Sequence, residues 1–266
     1  LTRLELNDMM IYAQTLFFVT NALSNVEHFC TRNSEFDLEA SLNYVFTNWA
    51  SSLKFLSFFN LCNPIDCKSF ASFQLLTNCT KLKTFELDLP TGSPQDIPKL
   101  FMYLAKMPAL ETLKIASGVG DSSLNFQYLK NEHLLFLLSS GSKLKNLHIE
   151  LFGSFANGNS IYSNLREFNS GIETLTIQSH TEKLDHSNGI ETAFGNPSKT
   201  KAATPRVSSV SSVRYFSPSL VSLKKLHLEG VKIVEEDFFA IITHMESLYI
   251  KDDFQLTLKG FRSLLL

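Results

Sequence analysis

The sequence predicts an α/β solenoid in which short strands alternate with helices, and three observations predict it. An L-x-x-L-x-L pattern, with other apolar residues often in place of leucine, recurs nine times in the 266 residues. The copies begin at Leu1, Val26, Leu53, Leu82, Leu110, Leu144, Ile172, Leu223 and Met245, at intervals of 22 to 34 residues except for one of 51. Each copy ends in apolar–polar alternation, the mark of a strand with one face buried, and helix-period segments follow. Self-similarity at such a period means stacked units, which settles the domain question because a solenoid grows by adding units rather than by enlarging one core. A single domain is therefore expected over residues 1–266.

In chain order, the first copy is followed by a run from Met9 to Leu23 in which Tyr12, Leu16, Val19 and Leu23 share one helix face. After the second copy, Leu38, Leu42, Val45 and Trp49 repeat those spacings, with Asn33, Ser34 and Asp37 as capping candidates. Trp49, the only tryptophan, is expected to anchor that helix in the core. Thr31 occupies an apolar slot, which makes the second copy the poorest strand. The fifth and sixth copies carry turn clusters at Gly118–Ser123 and Phe152–Ser160; helices are expected over Glu132–Leu138 and through Ile161, Leu165 and Phe168.

The interval of 51 holds an insertion. From 180 to 219 the chain turns to Ser, Thr, Pro, Gly and Lys, a composition too poor in large apolar groups to offset ordering entropy, so a flexible excursion is expected. Thr204-Pro205 and Ser217-Pro218 match the minimal pattern of proline-directed phosphorylation sites, beside Lys199, Lys201, Arg206 and Arg214. An unmodified spacer is the alternative.

The third copy runs Leu53, Leu56, Phe58, Leu61, Ile65, Phe70, Phe73, and the eighth runs Leu223, Leu226, Leu228, Val231, Ile233, Phe238, Ile241. At these residues the chain resembles the leucine-rich-repeat superfamily, and its repeat lengths look like the ribonuclease-inhibitor-like and cysteine-containing (F-box type) subtypes. The resemblance implies a curved horseshoe of about nine repeats, with parallel strands on the concave face and helices on the convex face. The asparagine or cysteine usual after the strand is replaced by Leu61, Pro90, Gly118, Phe152 and Val231. The chain starts on a strand core and stops at Leu264-Leu265-Leu266 in a helical pattern, without the polar caps a solenoid needs, so a fragment of a longer solenoid is expected.

Composition narrows the function classes. A net charge of −2 and a pI near 6.4 lack the basic excess of a nucleic-acid binder. No apolar run is long enough to span a bilayer, and the amino terminus has no signal-peptide pattern. Cys30, Cys62, Cys67 and Cys79 are too few and too irregular for a disulfide scaffold or zinc pairs, so they are read as reduced thiols in a cytoplasmic or nuclear protein. No nucleophile elbow, phosphate loop or metal motif occurs, so no catalytic residue, metal or cofactor is assigned.

What the repeat supplies is a face. Residues flanking the second and third apolar positions of each copy point away from the core, and these are the candidate partner-binding positions. Phe55 and Phe59 beside Glu86 and Asp88 read as exposed interface anchors, or else as rings covered by a neighbouring segment. The other candidates are Lys114, His148, Glu150, Lys225, His227 and Tyr249. His148 and His227 hold equivalent positions two copies apart, too far for a metal pair. Glu235-Glu236-Asp237 reads as a helix start favoured by the helix dipole. By resemblance, the expected function is the non-catalytic substrate-binding part of an F-box-type ubiquitin-ligase receptor. Its protein partner would lie on the concave face, and a ligase adaptor would be engaged through regions outside this chain. The alternative is a ribonuclease-inhibitor-like regulator of an enzyme or small GTPase.

Overall fold

The computed structural model describes residues 1–36, 38–59, 71–89, 97–117, 137, 143–152, 171–180, 222–229 and 245–251. Nine of its strands form one open sheet, every adjacent pair parallel. In sheet order they are β1 (Arg3–Asn7), β3 (His28–Arg32), β5 (Phe55–Phe59), β6 (Thr84–Leu89), β7 (Thr112–Ser117), β8 (Asn146–Phe152), β9 (Thr174–His180), β10 (Lys225–Glu229) and β11 (Ser247–Lys251). Each begins at the third residue of a sequence copy. The connections include α1 (Ala13–Ala22), α2 (Leu38–Asn48), a 310 helix (Ala71–Asn78) and α3 (Ile97–Ala105), and consecutive helices pack on one another.

The two-residue period of a strand turns each copy into a wall. In register, Leu4, Phe29, Leu56, Phe85, Leu113, Leu147, Leu175, Leu226 and Leu248 form one apolar row across all nine strands. Except at the edge strands, where Leu4 and Leu248 are partly buried, this row is buried. A second row runs from Leu6 through Thr31, Phe58, Leu87, Ile115, Ile149 and Ile177 to Ile250. The copy-opening residues from Val26 to Leu223 make a third buried row. The backbone repeats with equal regularity. The carbonyls of Thr2, Glu27, Lys54, Lys83, Glu111, Lys145, Glu173 and Lys224 each accept two N–H groups from the next copy, at 2.7–3.2 Å.

Trp49 anchors the helix layer. It is fully buried, meets Phe29 edge-on at 5.2 Å between centroids, and donates from Nε1 to the Leu23 carbonyl. Leu16, Leu42, Val45, Phe46, Phe73 and Leu76 belong with it to one continuous core, and Asn48 Nδ2 donates to Thr20 Oγ1 at 2.9 Å between α2 and α1.

Several sequence expectations change. The run from Met9 does not enter a helix directly. Met10–Ile11 (β2) pairs in parallel with Glu35–Phe36 (β4), and α1 starts only at Ala13. The cause is a left-handed turn at equivalent positions of the first two copies, Asp8 at φ 56° and Asn33 at φ 49°. Short polar side chains tolerate that conformation, and it redirects the chain out of β1 and β3 before helix can form. Ser34 does not cap α2: its hydroxyl lies 3.1 Å from the Leu6 carbonyl and 2.9 Å from that of Arg32, tying the two strand ends together. Phe152 and His180, expected in a turn and in the insertion, instead pair as the last residues of β8 and β9. β3 pairs over all five of its residues with both β1 and β5 despite Thr31, whose buried hydroxyl has no hydrogen-bond partner among the described residues. Leu137 is helical and buried. The rest of the Glu132–Leu138 helix, the helix of Ile161, Asp37, Cys62, Cys67, residues 181–219 with Thr204 and Ser217, the Glu235–Asp237 cluster and the carboxyl-terminal run lie outside the described residues.

Candidate partner-binding face

The residues between the apolar rows form three rows on the opposite side of the sheet, the open face. The central row is Glu5, Cys30, Ser57, Glu86, Lys114, His148, Thr176, His227 and Tyr249, in continuous register. This places His148 and His227 on either side of Thr176, two strand spacings apart, about 10 Å. The third row brings Ala116, Glu150, Gln178, Glu229 and Lys251 together on β7 to β11.

Two charged centres occupy β7 to β11. Around Glu150, Lys114 Nζ lies at 2.8 Å and His148 Nε2 at 2.9 Å. Burial alone would raise the Glu150 pKa, but the hydrogen bonds from His148 and Lys114 outweigh it and hold the carboxyl down to about 2. Around Glu229, Lys251 Nζ donates at 2.6 Å and Gln178 Nε2 at 2.9 Å, again holding the carboxyl down to about 2, with Lys251 the leading cause. His227 Nε2 stands 3.6 Å from Glu229, an ion-pair separation rather than a hydrogen bond, and has no hydrogen-bond partner among the described residues. Both centres use the same local writing, Leu-His-(Ile or Leu)-Glu, whose strand period puts imidazole and carboxylate on one face.

On β1 to β6 the open face carries a second network. Arg3 and His28 flank Glu5, the latter at 3.5 Å. Ser57 Oγ donates to Glu86 at 2.7 Å, and Arg32 reaches the same carboxylate at 3.9 Å. Cys30 is buried between these groups; burial raises its thiol pKa, with the Ser57 hydroxyl opposing.

The aromatic pair is not the exposed anchor its sequence position suggested. Phe59 is only 6 % exposed, and Lys114 Nζ sits 3.9 Å over its ring centre. Phe55 is half-buried and stacks on His28 at 4.1 Å. A parallel sheet sets neighbouring strands about 5 Å apart, so long side chains reach over a ring on the open face: His28 of the adjacent β3 covers Phe55, and Lys114 of β7, two strands away, covers Phe59. The exposed aromatic of this face, among the described residues, is Tyr249, 46 % exposed and tilted against His227 at 4.2 Å. Lys225 is exposed beside them, and Asp88 is half-buried at the end of β6.

No protein-family model matches this chain, and no curated protein is significantly similar to it in sequence. Among the described residues no helix is long and apolar enough to cross a membrane, and no group of three ligating side chains is placed to hold a metal ion.

The face rule located Glu229, Gln178 and Lys251 without distinguishing them from generic polar positions. Their role appears only when strands 51 and 22 residues apart in sequence are paired. A further feature is readable in the sequence: the second residue of eight copies is charged, Glu27, Lys54, Lys83, Glu111, Lys145, Glu173, Lys224 and Glu246. They line the end of the sheet where its strands begin, with ion pairs Lys54–Glu27 at 2.7 Å, Lys83–Glu111 at 3.4 Å and Lys224–Glu173 at 3.0 Å.

Proposed function

We propose that the chain is a leucine-rich-repeat solenoid of about nine repeats, strands lining a concave face and helices outside, that recognises a protein partner on that face without catalysis. The observation carrying this reading is the register. One scaffold residue pattern holds nine strands in line, while the intervening positions present a continuous, varied polar and aromatic surface. A surface of this kind suits a macromolecule better than a small molecule, because it is long and open rather than a closed pocket. Its setting is the substrate-binding part of an F-box-type ubiquitin-ligase receptor, on the strength of the repeat's resemblance to those subtypes, in a cytoplasmic or nuclear protein.

Affinity capture with the full-length protein tests this, comparing wild type with the Lys114→Ala, His148→Ala, Glu150→Ala triple variant. Loss of a specific protein in the variant, with a ligase adaptor captured by both forms, is the expected result. Capture of an enzyme or GTPase without an adaptor supports the regulator instead. Retention of every captured protein by the variant removes the face as the binding surface.

A further inference from the structure

At the end of the sheet where the strands begin, charge balances in one layer and not in the next. The row ahead of the strands is Glu27, Lys54, Lys83, Glu111, Lys145, Glu173, Lys224 and Glu246, four residues of each sign. It is continuous, because each of these residues after the first donates its backbone N–H to the carbonyl of the one before. Behind the row stand Lys81, Lys106 and Lys143, one in the approach to each of β6, β7 and β8. Lys81 and Lys143 share one local pattern, a buried leucine (Leu82, Leu144) between two exposed lysines, and Lys106 directly follows α3. All three are exposed, and no carboxylate among the described residues pairs with any of them.

The sequence brings no acid to offset them. Residues 67–85, 97–110 and 133–149, which lead into these three strands, contain lysines and not one aspartate or glutamate. In a chain of net charge −2, three consecutive acid-free approaches concentrate positive charge on one rim. The approaches to β6 and β8 are two strand spacings apart, about 10 Å, which an extended chain covers in about three residues.

The chemistry of the rim selects among anions. Its cations are lysines, point charges without the planar fork by which arginine grips a single phosphate or carboxylate. Among the described residues, no aromatic ring is exposed beside them on which a base could stack, and no large apolar side chain is exposed there to enter a bilayer. A run of carboxylates on a polypeptide needs neither.

We propose that the rim leading into β6, β7 and β8 is a docking surface for an acidic segment of a protein, laid across three copies with its carboxylates paired to Lys81, Lys106 and Lys143. This surface is separate from the open face, so an open face that binds nothing would leave it standing.

The test is fluorescence anisotropy on the full-length protein, using a labelled peptide of alternating glutamate and glycine. That peptide binds, the same peptide with glutamine for glutamate does not, and raising salt from about 0.05 M to about 0.5 M releases it. The variant Lys81→Gln, Lys106→Gln, Lys143→Gln binds about tenfold more weakly. Its thermal midpoint is unchanged, because the three side chains are exposed and unpaired. Neutralising three exposed cations of the open face instead, Arg3→Gln, Arg32→Gln and Lys225→Gln, alters net charge equally but leaves binding within about twofold. No binding of the glutamate peptide by wild type, equal binding of the glutamine peptide, or an equal loss in the two variants overturns the proposal. Tighter binding of oligouridylate or of phosphatidylserine vesicles through the same three lysines overturns the assignment to an acidic protein segment.

Discussion

Replacing Thr31 by valine is expected to stabilise the protein. Thr31 sits in β3 between Leu6 and Phe58, in the row that is otherwise apolar, and is fully buried. Its Oγ1 has no hydrogen-bond partner among the described residues. A buried hydroxyl left unpaired costs about 1–3 kcal/mol relative to its hydrated state, and an added buried methyl contributes about 0.8 kcal/mol. Valine keeps the β-branched shape that suits a strand and exchanges the hydroxyl for that methyl, so a gain of about 1–2 kcal/mol is expected, discounted for imperfect packing of the new group. For a chain of this size that raises the thermal midpoint by about 2–6 °C. Trp49 is the only tryptophan and packs on Phe29 of the same strand, so its fluorescence reports unfolding at the site, with circular dichroism following the chain as a whole. Thr31→Ser, which keeps the hydroxyl and deletes the methyl, is the control and should destabilise by about 1 kcal/mol. A midpoint lowered by Thr31→Val would show that the hydroxyl is bonded and that the row tolerates it for that reason.

Three further perturbations have definite signs. Trp49→Ala is expected to cost about 3–5 kcal/mol in urea unfolding, and Trp49→Phe about 1–3 kcal/mol, since phenylalanine fills much of the space but leaves the Leu23 carbonyl without its donor; equal costs would mean the N–H is immaterial. Phe59→Ala is expected to cost about 2–4 kcal/mol because the ring is buried beneath Lys114; a cost near zero would return Phe59 to the candidate anchors. Glu150, with its folded pKa near 2 against 4.5 for the free group, stabilises the fold above the unfolded value and loses that contribution as pH falls towards 2. Thermal melts across this window should show a shallower acid decline for Glu150→Gln than for wild type, and an unchanged slope would mean that the Lys114 and His148 contacts do not persist in solution.

The strands were legible because burial on one face imposes a period of two, and a one-residue slip would expose every leucine. Leu53, Leu56 and Phe58 could hardly be read otherwise. The turns were less legible: Asp8 and Asn33 are ordinary polar residues in sequence, and only their left-handed backbone explains why β2 precedes α1. The face positions followed from alternation, but their chemistry did not. Glu229 meets Lys251 and Gln178 through pairing across strands, and Phe59 is buried by a lysine 55 positions away, contacts that carry no local signal. The charges ahead of the strands did carry one, eight times over, because each lysine or glutamate follows the first apolar residue of its copy.

The most direct test of the open face as the recognition surface is hydroxyl-radical footprinting of the full-length chain, alone and with its captured partner. Tyr249, His227 and His148 should lose reactivity in the complex. Met9, Met10, Tyr12 and Phe18, exposed on and just before α1, should keep theirs. Protection of the α1 side with Tyr249, His227 and His148 unchanged would contradict the account.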